Sequence, residues 1–182
     1  MVARRRGRGS KDGCGRRVVG ASVVVGEGFE VERVEAVAQR FPDCCVLVVG
    51  SDTTSAAERL RGVGNVVFTG EVPYGELPYY LYAFDVALLP FRVIELTLAT
   101  NPVKVYEYLS AGKPVVAVDL PEIAQFADLV YRAATREAFL AAVATAMQQA
   151  GYDASGGGPR PLASQPETGR QATGPRAPPP ST

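Results

Sequence analysis

The chain is predicted to fold as an α/β domain, a Rossmann-like parallel sheet of about six strands with helices on both faces. Three observations lead there. Short β-branched runs alternate with amphipathic stretches, the pattern of parallel strands joined by crossover helices. The runs are continuously apolar, so each strand needs cover on both faces. The 182 residues are 47% hydrophobic and 21% charged, an ordinary globular composition that can bury one core.

The predicted strands are residues 18–25 (VVGASVVV), 45–49 (CVLVV), 65–69 (NVVFT), 86–90 (VALLP), 114–118 (PVVAV) and 129–131 (LVY). The first follows a basic arm and superficially looks like a signal peptide. It is short, glycine-interrupted and runs into GEGFEVE without a cleavage site, so it reads as a strand. Helices are predicted at residues 30–41, 53–61, 76–84, 103–111, 122–127 and 136–149. Pro42 follows the first helix, Pro78 sits in a first turn, and Gly112 with Pro114 closes the helix before PVVAV in the order that C-terminal capping favours. Tyr79, Tyr80 and Tyr82 have helical spacing, which places them as core and interface residues rather than as base-stacking groups.

Three segments follow from composition: a basic arm at 1–16, the folded domain at 17–150 and a Pro/Gly-rich tail at 151–182. The tail holds seven of the 14 prolines and almost no large apolar side chains, so it cannot offset its ordering entropy and is expected to be disordered, as is the arm. Residues 1–17 carry seven Lys or Arg against Asp12, while the formal net charge of the chain is zero. The middle is therefore acidic, a poor footprint for nucleic acid, and no nucleic-acid partner is expected. The basic arm allows a weak peripheral contact with anionic lipid at the inner membrane face, marginal as an anchor. No run approaches the length of a membrane span. Cys14, Cys44 and Cys45 are odd in number and lack metal-ligand spacing, which points to a reducing cytoplasm and to no structural metal. With no histidine, the chain also lacks the commonest general base near neutral pH.

In open α/β sheets ligands bind beyond the carboxyl ends of the strands. There the stretch FRVIELTLATN, residues 91–101, reads as a loop long enough to be functional. It leads into Asn101 and Pro102, suited to cap and begin a helix whose free amides face the crevice. Lys104 in the first turn is electrostatically misplaced unless an anion is bound, so amides, dipole and Lys104 together suit a diphosphate. The alternative is that Lys104 merely pairs with Glu107 at i, i+3. Glu107 lies one turn on, with Val103, Tyr106 and Leu109 expected to face the sheet. Its carboxylate oxygens suit a ribose diol, and the alternative there is a solvated helix glutamate.

These residues carry a resemblance. The stretch FDVALLPFRVIELTLATNPVKVYEYLSAGKPVVAVDLPE, residues 84–122, is similar to the donor-binding segment of GT-B glycosyltransferases of the group 1, family 4 type, and NVVFTGEVPYGELPYYLYAFDVALLP, residues 65–90, resembles the same family's strand, glycine turn and helix. With a weaker match from Val18, the resemblance covers nearly all of the predicted fold. It implies that Glu107 binds the ribose, that Asn101, Pro102 and Lys104 line the diphosphate, and that Gly70, Glu71 and Val72 approach the base through their backbone. It implies transfer of a sugar from a nucleoside diphosphate sugar to an acceptor hydroxyl, with the donor as substrate, no further cofactor, and a role in cell-surface polysaccharide or glycoconjugate synthesis.

The sequence departs from the family at three places. The family's second glutamate, eight residues before the ribose-binding one, is Ala99 here, and Glu95 is the nearest substitute for the sugar contact. A basic residue that grips the diphosphate near the first strand is replaced by Glu27 and Glu30. The family's acceptor-binding half, of similar size to this domain, has no room in 182 residues, so a separate chain is expected to supply it. Two competing readings remain. One is a dinucleotide-binding oxidoreductase, with Gly26, Glu27 and Gly28 opening a helix and Asp52 placed for a ribose, although Val31 stands where a third glycine belongs. The other is a non-catalytic scaffold that kept the fold and lost the site.

Overall fold

The computed structural model describes residues 17–98 and 103–153. Six strands form one sheet: β1 (Val18–Ser22), β2 (Cys45–Val49), β3 (Val66–Phe68), β4 (Val86–Leu89), β5 (Val115–Val118) and β6 (Val130–Ala133). Every pairing is parallel and the order is β3-β2-β1-β4-β5-β6, as the apolar runs require. The helices are α1 (Val31–Arg40), α2 (Ala56–Arg59), α3 (Leu77–Ala83), α4 (Glu95–Leu98), α5 (Val103–Ser110) and α6 (Arg136–Asp153), with 3₁₀ turns at Tyr74–Glu76 and Pro121–Phe126.

The order reverses direction at β1. The crossover from β1 through α1 runs toward β2, and the crossover from β4 through α5 runs the opposite way toward β5. Right-handed crossovers in opposite directions put their helices on opposite faces. α1 and α6 accordingly pack together on one face, α6 against β4, β5 and β6, while α3 packs on β1 and α5 on β5 from the other. β4 and β5 are wholly buried as a result. Phe84, at the end of α3, lies flat against β1 at Gly20. A Cβ on that residue would lie 2.1 Å from the Phe84 ring, so only glycine lets the layer close. On the α1 side the buried Arg33 pairs with Glu30 at 2.8 Å, donates to the carbonyl of Thr135 and lies over the Phe139 ring.

Several local expectations are corrected. β1 stops at Ser22, three residues short of the predicted end, because its partner β2 ends at Val49, where Gly50 turns away with φ +138°. Tyr79 and Tyr82 are exposed and Tyr80 only half-buried; α3 buries Leu77 and Leu81 instead, an i, i+4 pair with no polar end to hydrate. The stretch read as a long loop contains α4, a single helical turn. The last helix runs past the predicted residue 149 to Asp153, with Phe139, Val143, Ala146 and Met147 as its buried stripe.

Candidate functional site

The carboxyl ends of β1 and β4 diverge at the reversal, and the segments leaving them wall a crevice. From β1 the chain continues extended, Val23 and Val25 donating to the carbonyls of Val49 and Ser51, before residues 26–30 turn into α1. From β4 it pairs with that turn, Glu30 donating to the Pro90 carbonyl at 2.7 Å and Arg92 to the Gly28 carbonyl at 2.8 Å. Thr97 on α4 is buried against Gly28, where a Cβ would meet its methyl at 2.8 Å. Its hydroxyl accepts from the Ile94 N–H and lies against the carbonyls of Arg92 and Ile94, which fixes α4 at the crevice wall. Thr97 has no periodic sequence signal; it acts through local backbone bonds, a habit of threonine outside regular structure.

α5 forms the floor. Val105 and Tyr108 are its buried residues, whereas Val103 and Tyr106 are exposed and Leu109 half-buried, so the expected sheet-facing set is out of phase. The reason lies in Tyr108. Its hydroxyl accepts from the Ser22 N–H at 2.7 Å and faces the Ser22 carbonyl at 3.2 Å, a pair of backbone groups that β4, paired only as far as Gly20, leaves unused. Burial pushes the Tyr108 phenol far above its ordinary range, keeping it protonated and able to serve both groups.

This phase turns Lys104 and Glu107 to the crevice side. They form an ion pair at 2.8 Å, with side chains 31% and 25% exposed, so the i, i+3 contact weighed from spacing is present. Three adjoining hollows meet there. One of about 370 Å³ is lined by Gly26, Glu27, Gly28, Leu96, Thr97 and Lys104 among others. A second of about 330 Å³ runs from Lys104 past Ser22 and Gly50 to Glu71, Val72 and Tyr74. A third of about 250 Å³ lies between α3 and α5, with Glu107, Tyr74 and Leu77 in its wall. Lys104 is the one cation among the described residues that line them, against Glu27, Glu71 and Glu107.

The other predicted residues are placed as follows. Gly70 bridges Gly50, whose N–H donates to the Gly70 carbonyl at 3.0 Å, and the turn carries Glu71 and Val72 to the second hollow. Gly50 itself has φ +138°, and a Cβ there would fall 1.9 Å from the Val23 carbonyl oxygen. Glu95 is exposed on α4, next to Leu96, and does not line the hollows described. Asn101, Pro102 and Ala99 lie outside the described residues, as do the arm at 1–16 and residues 154–182. Sequence reading missed Tyr74, Leu96 and Thr97. It used residues 26–28 for the dinucleotide alternative and, at Glu27, for a departure from the family; the structure disfavours the dinucleotide alternative, because the Asp52 carboxylate accepts from the amides of Thr54 and Ala57 at 2.9 and 2.8 Å and so holds the first turn of α2. These hydrogen bonds hold its pKa below the ordinary value against a desolvation cost that acts the other way. Among the described residues no group of three His, Cys, Asp or Glu is placed to hold a metal, and no helix is long and apolar enough to cross a membrane.

Comparison with known proteins agrees with the geometry. The chain is 32% identical over 96 residues to a putative teichuronic acid biosynthesis glycosyltransferase, TuaH, of Bacillus subtilis, covering 51% of this chain and 24% of that one. In fold it is similar to HepE of Anabaena, solved in complex with UDP and glucose, with a TM-score of 0.58 and 17% identity over 77% of this chain and 40% of the other. It is also similar to the glycosyltransferase GlyE of Streptococcus pneumoniae, with a TM-score of 0.53 and 18% identity over 73% and 33%. The chain thus spans about a quarter of the curated relative and no more than two fifths of these solved chains. The family model for group 1 glycosyl transferases matches residues 20–149, the whole of the sheet beyond its first two residues and most of α6, and the chain belongs to that family.

Proposed function

We propose that the chain is the donor-binding half of a glycosyltransferase, holding a nucleoside diphosphate sugar in the crevice for transfer to an acceptor hydroxyl. The observation that carries this is the Lys104–Glu107 pair at the meeting point of the three hollows, beyond the carboxyl ends of a parallel sheet. A cation and a carboxylate one turn apart match the two polar parts of a nucleotide: Lys104 the diphosphate, with the amides after Asn101 and Pro102, and Glu107 the ribose diol. The base then lies toward Gly70, Glu71 and Val72. The sugar lies toward residues 26–28 and α4, where Glu95 adjoins Leu96 and Thr97. That HepE was solved with UDP and glucose supports the ligand class.

In the reaction the bond from the anomeric carbon to the phosphate oxygen breaks, a bond to the acceptor oxygen forms, and the nucleoside diphosphate leaves. Lys104 stabilises the charge that grows on the leaving diphosphate. The hydroxyl proton goes to a group on the acceptor-binding half, carried by another domain or chain. The 32% identity with TuaH supports a role in cell-surface polysaccharide synthesis, with peripheral contact at the inner membrane face through the basic arm.

Ligand must replace the 2.8 Å ion pair, so each partner trades one charge contact for another. Calorimetric titration with UDP and GDP tests the reading. The parent chain is expected to bind one or both, and Glu107→Ala and Lys104→Ala are each expected to weaken binding by about tenfold or more, the value of a lost charge-assisted hydrogen bond. No binding by the parent, or binding indifferent to both substitutions, defeats the assignment and leaves a scaffold that retained only the fold.

A further inference from the structure

Tyr74 opens the 3₁₀ turn before α3 and is 83% exposed, more than any other large apolar side chain described. Among the described residues no hydrogen bond, ion pair or ring contact holds its side chain. The backbone beneath it is nevertheless stiff. Pro73 precedes it with φ −55° and ψ 138°, and the Glu76 N–H closes the turn on the Pro73 carbonyl at 2.8 Å. A bare aromatic face is thus presented from a fixed base, two residues after Val72.

Its location gives that face a use. Tyr74 lines both the hollow that contains Lys104 and the groove that contains Glu107, and Leu77 is the other side chain they share. A ligand that places phosphates at Lys104 and a diol at Glu107 brings a planar, weakly hydrated group to the remaining side of the ribose. We propose that the Tyr74 ring stacks on the nucleobase of the donor, an inference that rests on the nucleotide reading above. Stacking removes two exposed aromatic faces from water at little cost in side-chain entropy, and the turn has already fixed the backbone. Every base has such a face, so Tyr74 supplies affinity without choosing among bases. Discrimination between pyrimidine and purine then falls to the backbone around Gly70 and Val72.

The test is calorimetric titration of the full chain with UDP, GDP and inorganic pyrophosphate, on the parent, Tyr74→Ala, Tyr74→Phe and Glu107→Ala. Tyr74→Ala is expected to weaken UDP and GDP by about tenfold, the low end of one base–aromatic stack, and to leave pyrophosphate affinity unchanged. Tyr74→Phe keeps the ring and is expected to bind as the parent does. If Tyr74→Ala binds UDP and GDP like the parent while Glu107→Ala does not, the stacking assignment falls and the nucleotide site stands. Equal losses for UDP and pyrophosphate in Tyr74→Ala also overturn it, because the residue would then support the site rather than meet the base. A parent chain that binds neither nucleotide removes both readings together.

Discussion

At the end of β1, Ser22 turns its N–H and its carbonyl toward a single phenol, and the register of α5 over the crevice depends on that contact. Tyr108→Phe keeps the packed ring and deletes only the hydroxyl, leaving a buried N–H without an acceptor. The expected loss is about 1–3 kcal/mol, read in urea as a lower midpoint at unchanged slope. An unchanged midpoint would mean that water reaches Ser22. The same burial gives a pH dependence. Because the folded phenol titrates above its ordinary value near 10, its contribution is complete below that pH and is lost as pH rises toward the folded value. Glu32 acts at the other end of the scale. Its hydrogen bond from Arg59, helped by its own backbone N–H and by the charges of Arg59 and Arg92, lowers its pKa to about 2. Its contribution is therefore present above the ordinary value of 4.5 and fades as pH falls toward 2. With the Glu32 side chain 37% exposed, solvent screening keeps that contribution small. Glu32→Gln is expected to make the acid limb of the stability profile slightly shallower, and a steeper limb would show that the network is repulsive.

The elements differ in how openly their sequences declare them. β2 was legible to the residue, because CVLVV is a short apolar run set between the Pro42–Asp43 turn and Gly50, and a parallel strand covered on both faces needs nothing else. α5 was legible as a helix but not in its phase. Its apolar residues Val103, Val105, Tyr106, Tyr108 and Leu109 fit two faces equally, and the choice is made by a hydroxyl meeting Ser22, a contact 86 positions away that no window contains. In α3 a similar ambiguity misled: three tyrosines looked like core and interface residues, but Leu77 and Leu81 take the core face, leaving Tyr80 half-buried and Tyr79 and Tyr82 exposed, with Tyr82 walling the groove beside Glu107. Of the site, the Lys104–Glu107 juxtaposition was readable from i, i+3 spacing, whereas the Gly28–Thr97 contact joins a turn to the single turn of α4 and was not. α4 illustrates the difference, since its position rests on one threonine hydroxyl rather than on any pattern. Thr97→Val preserves the shape and removes the acceptor of the Ile94 N–H. Hydrogen exchange at Ile94 is expected to speed up while the strands keep their protection, a local opening without global loss. Accelerated exchange throughout the sheet would instead make Thr97 part of the core.

On the scale of the whole molecule, the two halves of the sheet meet at β1 and β4, and the crevice they leave is walled by the loops that follow those strands and by α4. Val24, Leu96 and Val103 line the first hollow and are themselves exposed, so the site faces solvent across an apolar margin. Binding a donor and transferring its sugar make different demands on such a site. On the proposed reading, binding uses Lys104, Glu107 and a place for the base. Transfer needs in addition an acceptor oxygen aligned with the anomeric carbon, a group to take its proton, and exclusion of water from the reacting bond. The chain contains no histidine, and its cavity walls offer Glu27, Glu71 and Glu107, of which the last is committed to the proposed ribose contact. Residues 1–182 alone are therefore expected to bind nucleotide while releasing UDP or GDP from a donor sugar no faster than buffer does, with or without an acceptor glycan. The measurement is nucleotide release from UDP- and GDP-sugars, run beside the binding titration so that an empty site is not mistaken for an idle one. Release that rises with acceptor concentration would show that the open crevice performs transfer without a second half, and a carboxylate such as Glu27 would then be the base to examine.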